Sequence, residues 1–550
     1  MKKIAKRALA LLVASTMCLS LAACGGNGSG NQTGTTKIEG AKPNDYTRFQ
    51  KRANMQVSIA SWNVGDSITT AADPVRDQFY KKLNITIKPY QMTWGDYQQK
   101  ISVWAASKNL PDMTCSDTAF TENFNKWVNG KVVAQIPDDL SAYPELNKTL
   151  LVNKKQAEMY KAADGHYYGI PKVQTPKSES GISVVEMTMR KDWATKAGIT
   201  KTPSTVDELI SAVKTIQNSD PDGNGKNDTV GITAYSFPWF TCVLYGGDPA
   251  AVNGYQWTWK DGKLTHAYND DHFLQAAKDL NKMYKAGIVD PDLPSLKGEE
   301  GRDKFKNGKA VVYGHSNSAT GFAALDTPSL TQGKKLSDVL MNVYPLQNET
   351  DQKYYYNPCA VYWSETYLKY GMKADKMDTC LSLLNYMLSD EGHSYLAYGI
   401  EGQDYTKDAN GKVTIKFEAD GTAPKLSKKY PFTGLGTLAY WSGYYEDENP
   451  AYSAEVKKLA NDNYDWAKKV NAQPYDLPIV SNLTYPSKTK DTATSQAYQS
   501  DLLGIMKTDN VEAEVAKIRE KYKKAGNDQI EKELNDAAKK AGITEKTTTK

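Results

Sequence analysis

MQVSIASWNVGDSITTAADPVRDQFYKKLNITIKP, Met55 to Pro89, sets two short strand-like runs on either side of a helical one. MQVSIA (Met55–Ala60) and ITIKP (Ile85–Pro89) read as strands, and DPVRDQFYKKL (73–83) reads as a helix. That order is a βαβ opening, and β-like runs alternating with amphipathic helices continue down the chain. Thr205 and Glu208 form a capping box ahead of Val206, Leu209, Ile210, Val213 and Ile216 at helical spacing. Phe273, Ala276, Ala277, Leu280, Met283 and Tyr284 make a second stripe, which stops at Gly287 with Pro291 just beyond. Leu381, Leu384 and Leu388 mark a third, and Val511, Val515, Ile518 and Tyr522 begin a C-terminal helical region. These stripes are core, and the fold class they imply is α/β.

The first residues address the compartment. Lys2, Lys3, Lys6 and Arg7 precede an apolar run from Ala8 to Ala23, which ends in LAAC and is followed by GGNGSG. A basic start, a short apolar middle and small residues before a cysteine describe an export signal. The LAAC ending resembles the lipobox of bacterial lipoproteins, which implies cleavage before Cys24, a diacylglyceryl group (with palmitate among its acyl chains) on its thiol, and a flexible tether over 24–50. Removing residues 1–23 of the 550 leaves 527, too many for one core, so two or more lobes are expected. It also removes four basic residues and no acidic one, leaving 64 of each sign. A neutral chain lacks the basic surface that phosphate backbones demand, which argues against nucleic acid. Cys115, Cys242, Cys359 and Cys380 show no metal spacing; buried thiols are expected, with one disulfide open outside the cell.

Several phrases, in order along nearly the whole chain, carry a resemblance: NLPDM (109–113), DGHYYGIPK (164–172), MRKDWATKAG (189–198), PSTVDELISAVKTI (203–216), LNKMYKAGIVDPDL (280–293), FKNGKAVV (305–312), LSDEG (388–392), YGIEGQDYT (398–406) and YKKAGNDQIEKELN (522–535). Together with the lipobox they make the chain similar to the extracellular solute-binding proteins of bacterial ABC importers, in their sugar-binding lipoprotein branch. The resemblance implies a two-lobed periplasmic-binding-protein-like fold of type II, with a hinge and an interlobe ligand cleft. Carried over, lobe one spans 51–174 plus 318–370, and lobe two spans 175–317 plus 371–550. It further implies a monomer without enzymatic activity, lipid-anchored on the extracellular face of the cell membrane. Such a protein captures a carbohydrate by hinge closure and hands it to the permease subunits of the transporter.

SDPDGNGKNDTVGI, Ser219 to Ile232, places oxygen-bearing side chains at alternate positions of a glycine-rich loop. Counting Asp220 as position 1 puts Asp222 at 3, Asn224 at 5, Lys226 with its carbonyl at 7 and Asp228 at 9, a pattern suited to Ca²⁺. The bidentate Glu of an EF-hand is missing, because position 12 is Gly231, and strand-like VGITAY stands where a second helix belongs. A structural Ca²⁺ site is expected here rather than a sensor. In the family the resemblance points to, an acid often follows position 9, where this chain has Thr229.

The chain has 35 Tyr and 11 Trp against 11 Phe. A neutral sugar offers C–H faces to flat rings and hydroxyls to polar partners, so Trp and Tyr suit it better than Phe. Arg48, Arg52, Arg76, Arg190, Arg302 and Arg519 are the only arginines after residue 23, few for a site built on phosphate or carboxylate. Ligands of open α/β sheets sit beyond the carboxyl ends of strands. That rule selects Trp62, Asp117, Tyr235 and Trp239, with Trp363 at an expected crossover and Trp441 in an aromatic, Gly-rich loop. Trp104, Trp127, Trp193 and Trp466 are expected in the core, and Trp257 and Trp259 on an exposed hairpin.

Two rival readings stay open. One is a lipid-anchored carbohydrate-active enzyme, a glycosidase or lyase. Against it, the chain has no G-x-S-x-G or H-E-x-x-H and only five His. The other is a ligand-sensing partner of a membrane kinase, for which the same fold would serve.

Overall fold

The computed structural model describes residues 37–62, 64–119, 121–174, 181–183, 185–237, 240, 243–245, 257–296, 299–316, 318–359, 361–418, 424–441, 449–470, 473–474, 483, 485–488 and 498–544. The signal segment, Cys24, Trp239 and Cys242 lie outside them, as does the side chain of Cys359.

The chain opens with β1 (Met55–Trp62), β2 (Ile85–Met92), β3 (Met113–Ser116), β4 (Gly169–Val173), β5 (Gly181–Ser183) and β6 (Val185–Arg190). There follow β7 (Val230–Ala234), the hairpin β8 (Trp257–Lys260) and β9 (Lys263–His266), β10 (Ala310–Ser316), β11 (Leu340–Val343), β12 (Tyr355–Cys359) and β13 (Tyr362–Leu368). A hairpin of β14 (Tyr405–Lys407) and β15 (Val413–Ile415), then β16 (Gln473–Pro474), complete the strands among the described residues.

β1 and β2 run parallel from Met55 opposite Ile85 to Trp62 opposite Met92. The helix Pro74–Leu83 makes the crossover that a parallel pair needs. Asp73 caps it by accepting from the Arg76 N–H, proline occupies its first turn, and Asn84 stops it in the left-handed region at φ +48°. Val75, Phe79 and Leu83 are its buried face. The full sheet has the order β2-β1-β3-β13-β4, with β13 antiparallel to both neighbours. A second sheet, β11-β6-β10-β7, carries its own core, so the two largest sheets among the described residues each pack on a separate core, as the length required.

The connections between them show where the halves join. The chain leaves the first sheet after β4 and re-enters it at β13, and the two connectors pair with each other. Gly181, Ile182 and Ser183 of β5 lie antiparallel to Cys359, Pro358 and Asn357 of β12, with β16 on the other edge of β12. A third passage lies between Trp441, packed on the first core, and the helix Ala454–Lys469, packed beside the second sheet.

Two segments fall on the opposite side from the expected lobe boundaries. Residues 318–343 belong with the second sheet, because Phe322, Leu325, Leu330 and Val339 pack with Phe305 and Tyr313. The helices Ala374–Leu388 and Asp390–Tyr398 and the 3-10 segment Pro431–Leu438 join the first core through Leu381, Leu384, Met387, Leu396 and Phe432. An amphipathic stripe specifies that one face is buried, not which sheet buries it.

The segment before β1 is also fixed to the first core. Ile38 and Phe49 are buried there, and Arg48 and Arg52 each place a guanidinium nitrogen 2.8 Å from the buried Asp378 carboxylate. Tyr143 donates to the same carboxylate. Cys115 and Cys380 are buried free thiols. No helix among the described residues is long and apolar enough to cross a membrane.

Candidate ligand-binding site

Trp62 ends β1, and Met92, its partner in register, ends β2, so both strands deliver their next residues to one edge of the sheet. Trp94 lies two residues past β2, and Tyr97 opens the helix Tyr97–Ala106. Asp117 follows β3 at the same edge. β13 approaches from the other direction, with Glu365 opposite Ser116, so Trp363 reaches that edge too. Its pairing with β4 shifts register between Tyr362 and Glu365, and Ser364 sits at φ +59°, a bulge that re-aims Trp363. Trp441 arrives from the 3-10 segment, and its backbone N–H donates to Val173 O at the end of β4.

Four indoles therefore converge. Trp62 and Trp94 stack face to face, with centroids 4.7 Å apart and planes 10° from parallel. Trp363 lies 5.8 Å from Trp62 and 5.9 Å from Trp94, at 25° to each. Trp441 lies 4.7 Å from Trp363 and 5.6 Å from Trp62, and its Nε1 donates to Trp363 O and Ser364 Oγ at 2.9 Å. Tyr97 stands edge-on to Trp62 at 5.3 Å and donates its hydroxyl to Asp117 Oδ2 at 2.9 Å. Trp62 has no exposed surface, Trp94 is 42% exposed, and Trp363 and Trp441 lie between. The buried Trp62 Nε1–H has no hydrogen-bond partner among the described residues.

Two charged groups support this cluster from beneath. Lys172 is fully buried, with its ammonium 4.8 Å from the Trp62 ring centroid and 4.6 Å from that of Trp441, donating to Thr437 O at 2.9 Å. Burial lowers its pKa, and the nearby Cys115, Glu365 and Asp117 oppose that shift. Glu365, also buried, accepts from the Thr118 and Ala119 N–H groups at 3.0 and 3.1 Å and from the Tyr367 hydroxyl at 2.8 Å. It thereby holds the turn that begins at Asp117. Burial pushes its pKa up to about 7 against those hydrogen bonds.

Of the residues expected from sequence, Trp62, Asp117, Trp363 and Trp441 come together. Tyr235 stands at the carboxyl end of β7, against the Phe305 and Tyr313 cluster of the second sheet and not among the indoles. Trp94 and Tyr97 were missed, although the strand-end rule that selected Trp62 applies equally two residues past β2. Trp257 is buried against the helix Asn527–Lys540, which corrects its expected exposure. Trp466 is half-buried rather than core and stacks on Tyr344 at 4.9 Å and 2°.

The acidic loop folds inward on Asn224. Asp220 accepts from the Asn224 and Gly225 N–H groups, while the Asn224 amide donates to Asp222 and Asp228 at 2.8 and 2.9 Å. Lys309 lies 3.7 Å from Asp222, and no group of three His, Cys, Asp or Glu among the described residues is gathered tightly enough for a metal. Gly231 explains the missing twelfth ligand, since a Cβ there would lie 2.3 Å from Ile288 O and 2.8 Å from Val213 Cγ1. Thr229 is buried, and its hydroxyl has no hydrogen-bond partner among the described residues. Asp220, Asp222, Asp228 and the Asn224 amide are oxygen donors of the kind a hard cation takes, though their carboxylates are not drawn together as a metal would hold them.

The sequence profile of the bacterial extracellular solute-binding proteins matches residues 62–347, more than half of the chain. This chain belongs to that family. The solute-binding protein is 23% identical over 531 residues to the polygalacturonan/rhamnogalacturonan-binding protein YtcQ of Bacillus subtilis, covering 92% of this chain and 96% of YtcQ. Its fold matches the alginate-binding protein AlgQ2, solved without calcium ion, at TM-score 0.64 and 18% identity over 88% of this chain and 98% of AlgQ2. It matches the Streptococcus pneumoniae ABC-transporter substrate-binding protein FusA in complex with kestose at TM-score 0.65 and 15% identity, over 88% and 99% of the two chains. The fold is thus the two-lobed α/β type II binding-protein fold, with β5 and β12 as connectors.

Proposed function

We propose that the solute-binding protein captures an oligosaccharide at the indole cluster and delivers it to the permease of an ABC importer. The observation that carries this reading is the meeting of Trp62, Trp94, Trp363 and Trp441 at one sheet edge. The accessible faces of Trp94, Trp363 and Trp441 stack on sugar C–H faces over the buried Trp62, and Asp117 accepts from hydroxyls. An uncharged sugar suits this site best, because Lys172 is sealed behind the rings while Asp117 would repel a carboxylate. The names of YtcQ, AlgQ2 and FusA support a carbohydrate ligand. Tyr235, just past β7 of the second sheet, would meet the ligand as the connectors bend and the two lobes close over it, and Trp239, four residues on in sequence, would do the same. Cys24 would carry the lipid that moors a monomer to the outer face of the membrane. Asp220, Asp222, Asn224, the Lys226 carbonyl and Asp228 would hold a structural Ca²⁺, which neutralises the loop's carboxylates when bound.

The test is tryptophan fluorescence titration with a panel of neutral and acidic oligosaccharides, followed by chromatography of the recovered sugar. Saturable quenching with the sugar returned intact is expected. Recovery of shortened sugar would replace capture by catalysis, and a panel that leaves the fluorescence unchanged would remove the sugar reading.

A further inference from the structure

Every residue of β4 is buried, and Lys172 has no exposed surface. Its ammonium is held without a direct ion pair, since Glu365 and Asp117 act on it only through space. Its direct partners are Thr437 O at 2.9 Å and the faces of Trp62 and Trp441, 4.8 and 4.6 Å away. Taking a charge out of water is costly, and an apolar chain of similar length would fill the space without that cost. What the charge adds is its pull on one carbonyl and two rings.

Each of those partners belongs to the frame of the indole cluster. The 3-10 segment Pro431–Leu438 carries the chain toward Trp441. At its end the Ala439 and Tyr440 N–H groups both turn back to Gly436 O, which leaves Thr437 O and Leu438 O to side chains. Lys172 Nζ donates to Thr437 O, and Thr366 Oγ1 donates to Leu438 O at 2.6 Å. A cation suits the carbonyl end of a helical segment, where partial negative charge gathers. The Thr437 hydroxyl lies 2.8 Å from Ser61 Oγ and donates to Trp62 O at 3.3 Å, which ties the same residue to the end of β1. Cys115 Sγ, on β3, donates to Thr437 O at 3.5 Å. Trp441 itself is fixed at its backbone by the N–H bond to Val173 O and at its rim by Nε1, while the Lys172 ammonium holds its face. Trp62 and Trp441 are tilted by 43° with centroids 5.6 Å apart, so one cation meets both rings.

We propose that Lys172 is a positioning residue for ligand capture: it holds Trp441 against Trp62 from beneath, and so sets the affinity for a sugar that it never touches. This role rests on the indole cluster being the sugar site. It gives the buried charge a task there, which is to keep two rings in one arrangement before the ligand arrives, so that binding does not have to order them.

Lys172→Met keeps the length of the side chain and removes its charge. The full chain carrying it is compared with the wild type by melting temperature, by acrylamide quenching of the unliganded protein, and by fluorescence titration with the tightest binder among neutral oligosaccharides such as cellotetraose, xylotetraose and mannotetraose. The melting temperature should stay within a few degrees, because the lost contacts are offset by a charge no longer buried. Quenching should rise as Trp441 loosens, and the sugar should bind more weakly by about tenfold or more. A lysine that only filled the core would move the melting temperature and leave the quenching and affinity of the folded protein as they were. Unchanged quenching, affinity within about twofold of the wild type, or a melting temperature lowered by more than a few degrees would each overturn the positioning role. If no oligosaccharide binds the wild type, capture at the indoles falls instead, and the quenching, which needs no sugar, still decides whether Lys172 places Trp441.

Discussion

Replacing Trp94 with Ala tests the indole site with little disturbance of the fold. Trp62 is the wrong choice, because a fully buried indole cut to alanine costs about 3–5 kcal/mol of stability. Trp94 is 42% exposed, and its closest ring contact is the stack on Trp62, with Trp363, Trp441 and Tyr97 about 6 Å away. Losing that stack should cost about 0.5–1.5 kcal/mol of stability, a few degrees of melting temperature at most in a chain this long. The effect on binding is larger. A ligand ring covering the exposed part of Trp94 gains about half of the ~1.5–3 kcal/mol of full burial, plus ~0.5–1.5 kcal/mol for face-to-face contact. The sum is about 2 kcal/mol, or roughly thirtyfold in affinity. Fluorescence titration with whichever oligosaccharide binds the wild type reads it, with circular dichroism as the control for folding. Affinity unchanged within about twofold would remove Trp94 from the site. Tighter binding would show that Trp94 occupies the place of the sugar instead of walling it, and would refute the reasoning equally.

Further consequences follow from named contacts. Glu365 has a folded pKa of about 7, above its ordinary 4.5, so the folded state holds the extra proton and stability falls as pH rises from about 4.5 to 7. Glu365→Gln should flatten that part of a plot of melting temperature against pH, and an unaltered slope would show that Glu365 does not titrate there. Chelation should lower the melting temperature if the Asp220–Asp228 loop holds Ca²⁺, and an identical melt with and without chelator would dismiss the metal. Gly231→Glu, which restores the EF-hand spacing, should destabilise the protein rather than tighten Ca²⁺, because Ile288 O lies 2.3 Å from the new Cβ. A wild-type melt with higher Ca²⁺ affinity would contradict this. Asp378→Ala should cost about 3–5 kcal/mol by stranding Arg48 and Arg52, measured by denaturant unfolding.

Much of this protein was legible in its linear order. The βαβ opening, the helical stripes and the alternate acids of the Asp220 loop are local patterns, and local patterns report secondary structure and turn chemistry because neighbours in sequence are neighbours in space. The strand-end rule reached Trp62 and Asp117 for the same reason, and it should have reached Trp94. Lys172 shows where local reading fails. In GIPKV it looks like any solvated lysine, yet Trp441, arriving from a segment 269 residues later, closes over it. Glu365 is a buried acid only because the turn after β3 spends its N–H groups on it. The sides taken by 318–343 and by the helices after Ala374 were equally hidden, since an apolar face binds any complementary face. Sequence alone set the class of fold and the chemistry of the rings; packing chose which rings meet, which charges lie beneath them and where the chain crosses between halves, because burial is a property of distant segments meeting.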